Sequence, residues 1–307
     1  MTSQKLPKII VIIGTNASGK SSLGIKLAQQ YDGEIISADS RQVYKGFDLC
    51  CGKVDETEQR LVKHYMLDIC DIGENYSVSD YQQQVYDIIP KILAKNKVPF
   101  IVGGTGLYIS SLVYGYEFLK EDRDDSYRFE LEAKTLQELQ SMLPIEGTEI
   151  LRNNNSDYNN KRRVIRALEK IKYGDKLFSE NVSRYDTLQL GITWPKEILD
   201  KRIEDRLSLR VEQGMIDEVK QYIEAGNNPD YLLKLGLEYR YITWYVQGKY
   251  SSYDEFYDNM ARAIKRFAKK QLAWFKRDKS IHWLNMEGEY FVEASSLIDA
   301  FLSNRPE

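Results

Sequence analysis

The sequence predicts an α/β fold: a doubly wound parallel sheet with helices on its faces, interrupted by a helical insertion. Three observations predict it. Short continuous apolar runs at Lys8–Ile13, Glu34–Ser37 and Val98–Val102 read as strands buried on both faces, which need no polar alternation. Segments of helical spacing lie between them, giving the alternating order of a doubly wound sheet. After Tyr116 the texture turns polar, charged and helical, and a strand pattern returns at Leu188–Thr193.

Taken in order, Lys8–Ile13 (KIIVII) ends at Gly14, and Ser21–Gln30 carries Leu23, Leu27 and Ala28 at helical spacing. Ser79–Ala94 reads as a helix, and the third strand closes on Gly103-Gly104. Residues 117–186 are helical in pattern, with Leu131, Leu136, Leu139 and Leu143 as a thin apolar stripe and a polar loop at 153–157. The expected division is a core of 1–116 and 187–307 with 117–186 inserted. Residues 196–278 are helix-rich, and Ile281–Leu284 is a candidate last strand.

Of 307 residues, 42% are apolar and 29% charged, an ordinary composition for a folded chain of one large or two modest domains. The run Ile9–Ile13 is too short for a signal or membrane segment, so a cytoplasmic location with no membrane partner is expected. Cys50, Cys51 and Cys70, with His64 and His282, make no zinc spacing and read as free thiols. The net charge of −3 implies no nucleic-acid partner by itself, so any basic surface must be local. Most of the 22 tyrosines are expected to be partly buried structural residues.

Gly14-Thr15-Asn16-Ala17-Ser18-Gly19-Lys20-Ser21 fits G-x-x-x-x-G-K-[ST], between a buried strand and a helix, which makes the fold P-loop NTPase-like. Glycines let backbone N–H groups and the helix N-terminus face a phosphate. Lys20 adds a charge, and the Ser21 hydroxyl is placed to hold Mg²⁺. The motif reports polyphosphate, either a nucleotide such as ATP or a diphosphate ester. A Walker-B run is not obvious; His64–Asp68 is the nearest candidate.

Asp39, after the second strand, faces the phosphate site as a proton acceptor, as an Asx-turn residue or as a water-mediated metal ligand. Thr105 lies in a glycine-rich turn after the third strand, as a phosphate-contacting hydroxyl or a plain turn residue. On the residues alone, Arg206 is an exposed helix arginine paired with Glu204 or Asp205.

Gly14–Ser21, then I-S-A-D-S-R-Q-V-Y-K-G at Ile36–Gly46, then G-G-T-G-L-Y at Gly103–Tyr108, resemble the tRNA dimethylallyltransferases (tRNA isopentenyltransferases). Arg163–Glu169, Arg202–Arg206, Gly214–Val219 and Ala268–Phe275 continue the resemblance in order, from about Lys8 to Trp283. It implies an enzyme that moves a dimethylallyl group from dimethylallyl diphosphate to N6 of the adenine at position 37 of tRNA. It further implies Asp39 as base, Thr105 on the bridging oxygen, Arg206 on the diphosphate, Mg²⁺ with Gly14–Ser21 holding the leaving group, and a monomer.

Ser40, Arg41 and Gln42 follow the base and are expected to read the flipped adenine and its neighbour. Residues 254–277 read as a helix with Phe256, Met260, Ile264, Phe267 and Trp274 facing a core and Arg262, Lys265, Arg266, Lys269 and Lys270 on another face. Lys161-Arg162-Arg163 with Arg166 is a second basic cluster. Under the resemblance, Arg163, Arg166, Lys269, Lys270 and Gln271 contact tRNA, and the insertion meets the anticodon stem-loop. The chain departs from the family pattern at Thr15, Asn16, Cys50, Cys51, Asn160 and Lys196, mostly on the expected RNA side. Two other readings are a small-molecule P-loop kinase and an RNA-binding relative without catalysis.

Overall fold

The computed structural model describes residues 6–118, 125–152, 158–173 and 182–303. They fall within two compact units, Met1–Tyr114 with Ser183–Glu307, and Gly115–Val182.

The larger unit carries a six-stranded parallel sheet of β1 (Lys8–Ile13), β2 (Gly33–Ala38), β3 (His64–Tyr65), β4 (Val98–Gly103), β5 (Asp186–Thr193) and β6 (Ile281–Asn285), in the order β3-β2-β4-β1-β5-β6. The strands found from sequence are therefore present, β1 with the expected bounds and the other four longer by one or two residues. β1 is central, and Ile9 through Ile13 are fully buried. Its alternate side chains serve two cores. Ile9, Val11 and Ile13 join Ile36, Ile101, Tyr81 and Val85, whereas Ile10 and Ile12 join Leu23, Leu27 and Phe100. That double burial is why the run shows no polar alternation.

Helix α1 (Lys20–Gln30) follows the first loop. Beyond β2 come α2 (Asp48–Cys51) and α3 (Glu56–Leu61), the latter started by an Asp55–Glu58 capping box. The short edge strand β3 was not anticipated, because two residues carry no periodicity. Helix α4 (Val78–Leu93) starts on a Ser77–Asp80 capping box, and α5 (Gly106–Val113) follows β4. Cys50 and Cys70 are buried and Cys51 half-buried, all free thiols.

The smaller unit holds α6 (Asp125–Ala133), α7 (Leu136–Ser141), α8 (Ile145–Arg152) and α9 (Lys161–Lys172). Leu131, Leu139 and Leu143 of the expected stripe are buried with Val164, Ile165 and Leu168, and Leu136 packs at their edge. The loop expected at 153–157 lies outside the described residues.

In the larger unit the chain continues through α10 (Lys196–Glu212), α11 (Met215–Glu224), α12 (Pro229–Leu235), α13 (Leu237–Val246), α14 (Tyr253–Phe275) and α15 (Tyr290–Ser303). On α14, Phe256, Met260 and Ile264 are buried as expected, but Phe267 is exposed. Steps of four residues from Ile264 bring Ala268 inward instead, and Phe275 ends the buried row. Trp274 packs half-buried against the core. Among the described residues no helix is long and apolar enough to cross a membrane.

Lys53 ties together the loops after β2 and β3. Its side chain is 1% exposed, and its ammonium donates to the carbonyls of Tyr44 and Gly46 and to the carboxylates of Asp48 and Asp68. The weak Walker-B candidate thus ends in an acid already held by a lysine. The Lys53→Met variant is expected to lose about 2–3 kcal/mol in urea denaturation, since four acceptors lose a charged donor. Lys45→Met, whose lysine pairs with Asp71 at the surface, is expected to lose under about 0.5 kcal/mol.

Candidate active site

The parallel register brings three loops to one edge of the sheet. Ile13 and Ala38 both lie opposite Gly103, so the segments after β1, β2 and β4 leave side by side. Gly14 N–H donates to Gly103 O at 3.4 Å, and Thr105 N–H to Ala38 O at 3.1 Å. This is the carboxyl edge, where open α/β sheets bind ligands.

The first loop is a cradle. Gly19 precedes α1 with φ +95°, a left-handed conformation that favours glycine, and no side chain caps the helix. The first N–H groups of α1 consequently lack an intrahelical or side-chain acceptor, and a helix N-terminus in that state attracts an anion. The Ser18 hydroxyl is buried without a partner. Among the described residues the Lys20 ammonium hydrogen-bonds to the Thr15 carbonyl alone, at 3.3 Å. Burial pushes Lys20 down to about 8; Asp39 opposes this, and Arg206 and Arg210 add to it.

Two further arginines close on the cradle from α10. Arg202 donates Nε–H to Ala17 O at 2.9 Å and lies over Trp194, which itself donates to Ser18 O at 2.8 Å. Arg206 reaches Gly52 O at 3.4 Å. It does not pair with Glu204 or Asp205, since residues one and two apart on a helix face different ways, and Glu204 instead pairs with Lys265 from α14. Burial, then Arg210, lower Arg206 to about 10, which leaves it charged at neutral pH. A cleft of about 180 Å³ is lined by Lys20, Ser21, Lys53, Glu58, Arg202 and Arg206 among others. A second, much smaller cavity of about 20 Å³ shares Ala17 and Arg206 with it and adds Asn16, Arg210, Glu238 and Ile264. Burial pushes the Glu238 carboxyl up from its usual range.

Asp39 accepts from Arg41 N–H at 3.0 Å through Oδ1, an Asx-turn contact. Among the described residues no donor bonds Oδ2. The turn thus fixes the carboxylate and leaves an oxygen for a second proton. Thr105 Oγ1 accepts from Ser40 N–H at 2.9 Å and lies 3.3 Å from Ser40 Oγ, a long contact that a phosphate-ester oxygen can replace.

Two of the expected RNA readers also make bonds inside the protein. Gln42 accepts from Ser37 Oγ at 2.8 Å and donates to Gly52 O at 3.1 Å. Gln271, 8% exposed, accepts from Asn16 N–H at 3.0 Å and donates to Gly104 O at 2.9 Å. Each amide thereby uses one acceptor site and one N–H within the protein. The glycines after β4 also make room for protein rather than for ligand: a Cβ on Gly104 would meet Gln271 at 2.7 Å, and one on Gly106 would meet Trp274 at 2.4 Å. Tyr81 and Tyr108 stack on each other with centroids 3.9 Å apart, both buried.

On α14, Arg262, Arg266, Lys269 and Lys270 are exposed, whereas Lys265 is half-buried on Glu204. On α9, Arg162 and Arg163 are exposed, and Arg166 together with Arg128 holds the buried Glu169 at 3.2 Å. Asn160 caps α9 through Arg163 N–H.

Arg202, Arg210, Trp194 and Glu238 were not assigned from sequence. The spacing of Arg202, Arg206 and Arg210, four residues apart on one helix, was the available signal. Among the described residues no group of three His, Cys, Asp or Glu side chains is arranged to hold a metal. A cation at this site would therefore take its ligands from the Ser21 hydroxyl, phosphate oxygens and water, a donor set that suits Mg²⁺.

Sequence and structure comparisons agree with this geometry. The family profile described as IPP transferase matches residues 42–278. The chain is 38% identical to tRNA dimethylallyltransferase 2 of Shewanella sediminis, over 94% of this chain and 97% of that protein. It is 40% identical to tRNA dimethylallyltransferase 2 of Treponema denticola, over 87% and 91%. The solved tRNA isopentenylpyrophosphate transferase of Bacillus halodurans matches with a TM-score of 0.73 and 32% identity, over 96% of this chain and 97% of that one. A eukaryotic dimethylallyltransferase whose crystal structures show it acting on tRNA matches with a TM-score of 0.80 and 25% identity, over 98% and 80%. The carboxyl-edge cradle, the acid beside it and the matched length lead to one assignment: the chain belongs to the IPP transferase family.

Proposed function

We propose that this protein transfers a dimethylallyl group from dimethylallyl diphosphate to N6 of adenosine 37 in the anticodon stem-loop of tRNAs, acting as a cytoplasmic monomer. The observation that carries this reading is the juxtaposition of unpaired cations around the cradle with a carboxylate fixed at the end of the neighbouring strand.

The adenine amine is a poor nucleophile, because its lone pair is delocalised into the ring. Asp39 takes its proton during attack. The N6–carbon bond forms as the bond between the allylic carbon and the bridging oxygen breaks, and the electron pair leaves with the diphosphate. Backbone N–H groups of the cradle, Lys20 and Arg206 hold that anion, and Thr105 faces the bridging oxygen. Mg²⁺, held by Ser21 and the phosphates, would supply further charge neutralisation. Ser40 and Arg41 flank the base. The exposed Lys269 and Lys270, Arg163 and the half-exposed Arg166 orient the RNA backbone, with the 115–182 unit on the stem-loop. Gln42 and Gln271 serve by positioning loops.

The test is nucleoside mass spectrometry of tRNA incubated with the protein, dimethylallyl diphosphate, ATP and Mg²⁺. An added C5H8 on adenosine is expected. ATP consumption without prenyl transfer would replace this reading with a kinase. The Asp39→Asn variant is expected to lose about 10²–10⁴-fold in kcat, with the donor KM within about threefold; unchanged modification would remove Asp39 as base.

Two further outcomes concern the cradle. Donor or pyrophosphate affinity is expected to hold below pH 8, where Lys20 already carries its proton. Above that pH an anion must draw a proton back onto Lys20, so affinity falls by up to about tenfold per pH unit. The Lys20→Arg variant, which does not titrate there, should lose that slope. Gln271→Ala is expected to raise the donor KM by about tenfold and leave the salt dependence of tRNA binding unchanged, since the amide holds the cradle rather than a phosphate.

A further inference from the structure

We propose that Arg210 is a second guanidinium on the departing diphosphate, one helical turn beyond Arg206, and that Gly52 is glycine to admit it. This rests on the reading of the cleft as a prenyl-diphosphate site.

Arg206 and Arg210 stand four residues apart on α10, so their side chains share one face. Both guanidinium groups rest on the same backbone. A Cβ on Gly52 would lie 1.4 Å from Arg210 Nη2 and 2.5 Å from Arg206 Nη2. Gly52 itself sits at φ +62° and ends α2, so its geometry and its missing side chain serve the same contact. Arg210 shares a cavity with Asn16 and Ala17 of the cradle. Among the described residues it forms no ion pair within 4.0 Å, and neither do Lys20 and Arg206. Glu238, across the same cavity, and Asp39, beside the cradle, are the acids that face them. Two like charges one turn apart repel, and Lys20 adds a third. Such a cluster is at ease only around a polyanion, and a diphosphate offers enough oxygens for two planar forks and an ammonium.

A phosphate of the tRNA backbone has the same chemistry, and the cavity decides between the two sources. Its wall contains the cradle residues Asn16 and Ala17, whereas the exposed basic residues of α14 are not part of it.

The test is calorimetric titration of the full chain with inorganic pyrophosphate and Mg²⁺, without tRNA, alongside tRNA binding without donor. Arg210→Gln is expected to weaken pyrophosphate binding by tenfold or more and to leave tRNA affinity and its salt slope unchanged. Arg210→Lys, which keeps the charge and the fold of the helix, is expected to fall between wild type and Arg210→Gln. Gly52→Ala, which places a methyl where the guanidinium rests, should weaken pyrophosphate binding in parallel. Wild-type pyrophosphate affinity in both Arg210 variants would overturn the inference alone. Weakened tRNA binding with unchanged pyrophosphate binding would assign Arg210 to the RNA and overturn it. A wild-type protein that binds no pyrophosphate would overturn the donor-site reading, and this inference with it.

Discussion

The site depends on positive charge that the protein leaves unneutralised. Lys20, Arg202, Arg206 and Arg210 converge on the cradle, and α1 starts there with no capping side chain. Two unit charges 4 Å apart interact by about 1 kcal/mol in water and about 4 kcal/mol near a protein surface. Direct carboxylate pairs would relieve that repulsion and would also fill the site. The chain instead uses main-chain carbonyls: Thr15 O for Lys20, Ala17 O for Arg202 and Gly52 O for Arg206. Carbonyl dipoles hold cations in place without cancelling them, so an incoming anion still meets a net positive field.

That arrangement needs rigid loops, and two amides provide much of the rigidity. Gln271 joins the cradle to the turn after β4. Gln42 joins the end of β2 to the carbonyl that also receives Arg206. Thr105 in turn bonds the backbone after Asp39. Asp39, the Thr105 hydroxyl and the cradle are therefore linked through side chains rather than held separately. A displacement of about 1 Å in such a constellation is enough to cost a large rate factor.

What the sequence disclosed divides along a physical line. The cradle, Asp39 and Thr105 were legible because each follows a buried strand within a few residues, so local order fixes where it lies. The sheet was legible for the same reason, except for β3, whose two residues leave no pattern. The internal bonds of Gln42 and Gln271 were not legible, because each stands in a polar or basic run and its neighbours suggest a surface. Those bonds are made to Gly52 and to Asn16 and Gly104, ten and well over a hundred residues away. Phe267 failed through a smaller cause: two inward progressions, i+3 and i+4, diverge after Ile264, and Ala268 took the inner place. The partnership of Gly52 with Arg206 and Arg210 crosses the whole insertion and leaves no trace in spacing.

The distribution of groups also indicates which half of the reaction receives most help. A general base contributes typically 10²–10⁴-fold, and the proposed reaction uses one, Asp39. A single well-placed electrostatic contact to a developing anion is worth about 2.7–4 kcal/mol, and the cradle side presents Lys20, Arg206 and the first turn of α1. Chemistry explains the imbalance. Departure of a diphosphate from an allylic carbon spreads positive charge over the prenyl unit and concentrates negative charge on oxygens that lie in one fixed place. Fixed cations answer that charge directly. The adenine amine needs only a proton acceptor at the moment its lone pair is committed, and a carboxylate anchored by one oxygen, with the other left open, meets that need.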